Sequence, residues 1–95
     1  MNEKRNLQLH AIFKGRVQGV GFRWTIQDCA DRFDVTGTTK NLKDGTVEVY
    51  AQGSKEILER FLEAIKNDPG SARIEHISCR YQEPSALYEG FTIVF

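Results

Sequence analysis

The sequence has few cysteines, no excess of charge of either sign and no long hydrophobic run. Only two cysteines occur in 95 residues, and Cys29 and Cys79 are fifty positions apart with no second ligand pair beside either, which argues against a zinc site. Thirteen Lys and Arg balance thirteen Asp and Glu, so the chain lacks the basic field that attracts nucleic acid or an acidic membrane. Any anion site must therefore be local.

The lack of a long apolar run bears on where the protein acts. The first six residues are polar, and Gln8, His10 and Lys14 interrupt the apolar stretch that follows, so we expect neither a secretion signal nor a membrane span. The sequence therefore predicts a soluble, cytoplasmic protein, monomeric because its charges are mixed. In a reducing compartment, Cys29 and Cys79 are expected to be small buried residues, with a disulfide as the alternative.

Hydrophobic periodicity predicts one domain over residues 7–95, preceded by a polar tail over residues 1–6. Alternating apolar residues predict a first strand that stops at Gly15, and helical spacing from Phe22 to Phe33 predicts a first helix. Lys-Asp-Gly signals a hairpin, and Ser54 is a residue type that caps the start of a second helix. The predicted strands cover residues 7–14, 35–41, 46–52, 72–81 and 91–95.

The order of these elements is typical of an α+β fold, the ferredoxin-like split βαβ sandwich. We expect an antiparallel sheet of four to five strands with two helices on one face. The third strand should lie between the first two, which run parallel and are about two strand spacings, ~10 Å, apart. The loop from Gly15 to Phe22 and Asn41 should then face one another at one edge of the sheet.

The segment "GRVQGVGFR", residues 15–23, combines three glycines with two arginines between a predicted strand and a predicted helix. Glycines at positive φ let successive amide hydrogens point into one concavity, a nest that binds anions. The helix N-terminus adds unpaired amides, and the planar guanidinium of Arg23 can donate two parallel hydrogen bonds to phosphate oxygens. A tight turn with a solvated Arg23 is the alternative. A Walker loop and a dinucleotide fingerprint do not fit, because Phe-Arg-Trp follows Gly21.

The same segment resembles the signature loop of the acylphosphatases over its whole length. "NLKDGTVEVYAQG", residues 41–53, is similar to the family's second motif, and "DPGSARIEHI", residues 68–77, matches as well. The resemblance implies an enzyme that hydrolyses the carboxyl-phosphate bond of acyl phosphates to carboxylate and inorganic phosphate. It also implies that no metal or cofactor takes part, and that the partners are these small molecules.

The resemblance further implies which residues form the site. The family's phosphate-binding arginine corresponds to Arg23 and its water-positioning asparagine to Asn41, so both are expected to be catalytic. The backbone amides of the loop are expected to bind phosphate. The loop residues are Gly15, Arg16, Val17, Gln18, Gly19, Val20, Gly21 and Phe22. Neither motif offers a plausible general acid, and none is required because a carboxylate leaves readily.

The sequence departs from the family pattern just before Asn41. Many members read Gly-Trp-Val-Arg-Asn where residues 37–41 read Gly-Thr-Thr-Lys-Asn. Thr38 and Thr39 therefore replace an aromatic residue and a valine, which bears on packing around Asn41. Trp24 could cover the site, although its position favours partial burial, and His10 and His76 are expected to be surface or structural residues.

Two other functions were compatible with the pattern. An RNA-binding domain can share the fold, with Phe13, Tyr50 and Tyr81 on strands where stacking aromatics could stand, but the basic, aromatic-rich strand signature is missing. The second alternative is an acylphosphatase-like module that is non-catalytic or has a different use, such as the domain attached to hydrogenase maturation proteins that handle carbamoyl phosphate.

Overall fold

Five strands and two helices form the protein, in a computed structural model that describes residues 6–95. The expected polar tail lies outside the described residues except for Asn6, which begins the first strand. The strands are β1 (Asn6–Arg16), β2 (Thr36–Asn41), β3 (Val47–Ser54), β4 (Arg73–Gln82) and β5 (Phe91–Val94), and the helices are α1 (Phe22–Phe33) and α2 (Lys55–Asn67).

The strands form one sheet in the order β4-β1-β3-β2-β5. β3 pairs antiparallel with both β1 and β2, so β1 and β2 run parallel and end at the same edge, as predicted. β5 pairs parallel with β2, so the sheet is mixed rather than purely antiparallel. The ferredoxin-like α+β class is confirmed, and the parallel pair exists because the chain crosses from β4 at one edge to β5 at the other.

Both helices bury one apolar stripe against the same face of the sheet. The stripe of α1 includes Phe22, Ile26 and Cys29, and α2 contributes Leu58, Phe61, Leu62 and Ile65. They pack with Leu9, Ala11 and Phe13 of β1, and each large apolar side chain that is fully buried contributes roughly 1.5–3 kcal/mol. Ser54 caps α2 as predicted, since its Oγ accepts a hydrogen bond from the Ile57 amide at 3.3 Å.

The opposite face of the sheet is polar and partly covered by the crossing segment, residues 83–90. Gln8, which is 1% exposed, accepts a hydrogen bond from the Gln52 side chain at 2.8 Å and one from the Ser85 amide at 3.1 Å. His10 stacks on Tyr50 with ring centroids 4.5 Å apart, which confirms its structural role. His76 lies exposed in β4.

The first strand is longer than predicted. β1 continues through Gly15 to Arg16, because a register shift between Lys14 and Gly15 keeps the strand paired with β4. Gly15 has φ 138°, and a Cβ there would collide with the carbonyl oxygen of Arg73. The irregularity therefore requires glycine at this position.

Two expectations about burial were wrong. Cys79 is exposed, whereas Cys29 is buried as predicted, and both are free. β4 is an edge strand, and the helices pack mainly over β1, β2, β3 and β5, so no helix covers Cys79. Trp24 is 62% exposed rather than partly buried, because it lies on the outer side of the first turn of α1.

Candidate active site

The loop between β1 and α1 is anchored to the core at both of its ends. Val17 and Phe22 are 2% and 1% exposed. The Phe22 ring packs edge-on against the Phe13 ring, with the ring centroids 5.3 Å apart. Between these anchors, Gly19 and Gly21 have φ values of 76° and 77°, in the left-handed region. A Cβ on either glycine would meet no atom within 4 Å, so the loop borders open space on the side where a side chain would lie.

The N-terminus of α1 opens onto this loop. Gly21 is the N-cap and offers no side-chain hydrogen bond, and the first turn contains no acidic residue. The first amides of a helix have no partner within the helix, and they lie at the positive end of its dipole. The loop and the helix start together can therefore hold an anion such as a phosphate group.

Arg23 is held beside the loop by the end of β5. It is the second residue of α1 and half-buried; its Nη1 donates a hydrogen bond to the carbonyl oxygen of Val94 at 3.3 Å. The guanidinium also lies 4.8 Å from the centroid of the Phe95 ring. Arg23 thus does not extend freely into solvent, and most of its donor groups stay available for an anion.

Asn41 is the last residue of β2, at the sheet edge where β1 also ends. Its Oδ1 is buried and has no hydrogen-bond partner among the described residues. A buried acceptor that stays unpaired costs about 1–3 kcal/mol, so a donor such as a water O–H would be bound favourably here. The amide oxygen accepts a hydrogen bond, and the amide group does not act as a base.

Gln18 joins the loop to the hairpin that follows Asn41. Its Nε2 donates to the carbonyl oxygens of Leu42 at 2.7 Å and Thr46 at 2.9 Å. These bonds bring the loop next to the end of β2, as the topology predicted. The role of the Gln18 side chain was not predicted, because both of its acceptors are backbone carbonyls, which any residue type supplies.

The structure divides the predicted loop into two parts. Gly15 and Arg16 belong to β1 and pair with Ile74 and Arg73 of β4, whereas residues 17–21 form the connection and Phe22 starts α1. Gly15 is therefore needed for strand packing, independently of any ligand.

The described part of the chain has neither a cluster of metal ligands nor a membrane-spanning helix. Within residues 6–95, no group of three or more His, Cys, Asp or Glu side chains is arranged to hold a metal ion. No helix in that range is long and apolar enough to cross a membrane.

Similarity to known proteins identifies the family. A family model described as acylphosphatase matches residues 9–93. The chain belongs to the acylphosphatase family. An acylphosphatase of Listeria welshimeri is 45% identical over 82 residues, which cover 85% of this chain and 88% of the relative. The crystal structure of acylphosphatase from Bacillus subtilis has a TM-score of 0.88 and 39% identity, covering 94% of this chain and 99% of that one.

A larger protein contains a similar unit. The structure of full-length HypF in a phosphate- and nucleotide-bound form has a TM-score of 0.83 and 31% identity, and the match covers 94% of this chain but 12% of that chain. Nearly all of the Bacillus subtilis acylphosphatase is matched. As an acylphosphatase, the protein is an enzyme that hydrolyses acyl phosphates, in agreement with the sequence-based prediction.

Proposed function

We propose that this acylphosphatase cleaves its substrate without a metal ion, by direct attack of water on phosphorus, with Arg23 holding the phosphate and Asn41 orienting the water. One observation carries the proposal. The Gln18 side chain fastens the glycine loop to the hairpin that begins after Asn41. The loop therefore lies at the same edge of the sheet as Asn41 Oδ1, which is buried and has no hydrogen-bond partner within residues 6–95.

The glycine loop and Arg23 would bind the phosphoryl group. Amides from Arg16 to Phe22 and the start of α1 would donate to its oxygens, and the Arg23 guanidinium would contribute a fixed positive charge. Phosphoryl transfer depends mainly on positioning and on donors aimed at the charge of the transition state. The contact of Arg23 with Val94 supports this role, because it fixes the guanidinium before substrate binds.

Asn41 would orient the attacking water. One water O–H donates to Asn41 Oδ1, which directs an oxygen lone pair towards phosphorus. The bond from water oxygen to phosphorus forms as the bond from phosphorus to the acyl oxygen breaks, and the carboxylate departs with the electron pair. The proton of the water passes to a phosphate oxygen. The products are a carboxylate and inorganic phosphate.

Two alanine variants test these roles with an aromatic acyl phosphate as substrate and excess chelator in the assay. Arg23→Ala should reduce kcat/KM by about 10²- to 10³-fold, as for the loss of a donor to a developing charge, and should weaken inhibition by inorganic phosphate. Asn41→Ala should reduce kcat by a similar factor while phosphate inhibition changes little, because Asn41 contacts the water and not the anion.

Each result has a clear opposite. Unchanged phosphate inhibition in Arg23→Ala would show that Arg23 does not anchor the phosphate. Lost phosphate inhibition in Asn41→Ala would assign Asn41 to phosphate binding instead. Turnover by the wild type that disappears in chelator would contradict the metal-free reaction.

We further propose that the protein acts as a cytoplasmic monomer on small acyl phosphates, with no nucleic acid or membrane as partner. The free thiols of Cys29 and Cys79 are compatible with a reducing compartment. The balance of thirteen basic and thirteen acidic residues provides no net attraction to polyanions. Light scattering of the purified protein should give the mass of one chain, and the mass of two chains would contradict the proposal.

A further inference from the structure

Two side-chain oxygens in β2 are buried without a hydrogen-bond partner. Among the described residues, they are Thr39 Oγ1 and Asn41 Oδ1. Positions 39 and 41 alternate along the strand and therefore share one face of the sheet, the face on which the buried Val49 and Val47 oppose them in β3. Thr39 is 0% exposed, so its hydroxyl is buried in the interior, on the face of β2 that also carries the Asn41 side chain.

The buried hydroxyl of Thr39 costs stability unless it forms a hydrogen bond. Valine has nearly the same shape and is free of the cost of burying a hydroxyl. The opposing Val49 shows that the environment accepts an apolar side chain. A fully buried hydroxyl is favourable only where it finds a partner, and the nearest unpaired group along β2 is the Oδ1 of Asn41.

We propose that Thr39 is a positioning residue that holds a buried water between its hydroxyl and Asn41 Oδ1. The Cα atoms of alternate strand residues are about 6.6 Å apart. One water with two hydrogen bonds of about 2.8 Å joins oxygens up to about 5.6 Å apart, so it can bridge two such side chains that lean towards each other. This water would donate to one lone pair of Asn41 Oδ1 and leave the other lone pair for the attacking water. The carboxamide of Asn41 would then be fixed in the orientation that the reaction requires. The inference rests on the proposed role of Asn41.

The expected effect is moderate, because Thr39 acts through Asn41 and does not touch the phosphate. Thr39→Val, which removes the hydroxyl and keeps the shape, should lower kcat by about 3- to 10-fold and leave phosphate inhibition unchanged. Thr39→Ser keeps the hydroxyl and should restore most of kcat. Thr38→Val is the matched control: it makes the same change one residue earlier, on the opposite face of β2, and should not affect kcat.

Two further measurements separate this inference from the proposed function. In an Asn41→Ala background, Thr39→Val should cause no additional loss of kcat, since both substitutions interrupt the same contact. A crystal structure of the wild type should show a water within hydrogen-bond distance of both Thr39 Oγ1 and Asn41 Oδ1, which is a readout independent of activity.

Several outcomes would overturn the inference while leaving the roles of Arg23 and Asn41 intact. A normal kcat and a raised melting temperature in Thr39→Val would show that the Thr39 hydroxyl destabilises the fold and has no role in catalysis. An equal loss of kcat in Thr39→Val and Thr39→Ser would indicate that Thr39 acts only through packing. A further loss of kcat when Thr39→Val is added to Asn41→Ala would show that the two residues act independently. If Asn41→Ala itself retained full kcat, the proposed function would fail and this inference with it.

Discussion

At the scale of single residues, the glycines of the segment 15–23 serve two different purposes. A side chain at Gly15 would collide with the backbone of β4, at the carbonyl oxygen of Arg73. A side chain at Gly19 would meet no atom within 4 Å, although φ is 76°. Gly15 is therefore required for the packing of β1 against β4. Gly19 instead allows the backbone conformation of the loop and leaves that backbone open to a ligand.

This difference leads to a prediction about stability. Gly15→Ala should lower the free energy of unfolding more than Gly19→Ala, by roughly 1–3 kcal/mol, because it adds a clash with backbone atoms to the strain of a positive φ. Gly19→Ala should cost about 1 kcal/mol from its φ alone. Denaturation in urea, with both variants measured beside the wild type, checks the difference, and equal losses would contradict it.

Prediction of burial from sequence succeeded for the helical stripe of α1 and failed for the alternating pattern of β4. Cys29 was correctly placed on the buried stripe of α1, since its spacing from Ile26 and Phe22 is helical. Cys79 also alternates with apolar neighbours, but β4 is an edge strand that the helices leave partly uncovered. Sheet order decides that exposure, and alternation within one strand does not reveal it.

At the scale of elements, the hairpin between β2 and β3 is tightened by one carboxylate. Asp44 Oδ1 accepts hydrogen bonds from the Thr46 hydroxyl at 2.6 Å and the Thr46 amide at 3.0 Å. These bonds, the hydroxyl first and then the backbone amide, lower the pKa of the Asp44 carboxyl below its usual value. The same hairpin supplies the Leu42 and Thr46 carbonyls that hold Gln18.

The lowered pKa predicts a stability that depends on pH. The folded state favours the charged Asp44 carboxylate. The stabilisation by this charge is therefore fully present above the pKa that Asp44 has in the unfolded state, and it is lost as the pH falls through the pKa of the folded state. Wild type should be more stable than Asp44→Asn at about pH 7, and the difference should be smaller at about pH 3, below the usual pKa of an aspartate carboxyl. Urea denaturation at both pH values checks this, and a difference that is constant with pH would contradict it.

The elements themselves were largely predictable. Both helices and the hairpin depend on local signals, namely helical spacing, the Ser54 cap and the Lys-Asp-Gly turn, and all are present in the structure. The parallel pairing of β5 with β2 was not predicted, because no local sequence signal states which strand a C-terminal segment joins. The extension of β1 to Arg16 depends on a register shift against β4, which is equally non-local.

At the scale of the whole molecule, the candidate site joins parts of the chain that are distant in sequence. The meeting of the loop with Asn41 could be predicted, because the crossover rule makes β1 and β2 parallel around β3. The contact of Arg23 with the Val94 carbonyl could not, since it depends on where β5 lies. The catalytic roles of Arg23 and Asn41 stay predictions, and the contacts of Arg23 and Gln18 involve backbone carbonyls, which residue types do not encode.

The position of β3 between β1 and β2 also has a consequence for folding kinetics. The loop, Asn41 and the end of β5 come together only after these non-local strand pairs have formed, and such pairings form slowly compared with helices. A phosphate ion bound across them favours the native state alone and stabilises it by mass action. We therefore expect phosphate bound at the proposed site to slow unfolding more than it changes the rate of folding, since that site needs all of these strand pairs.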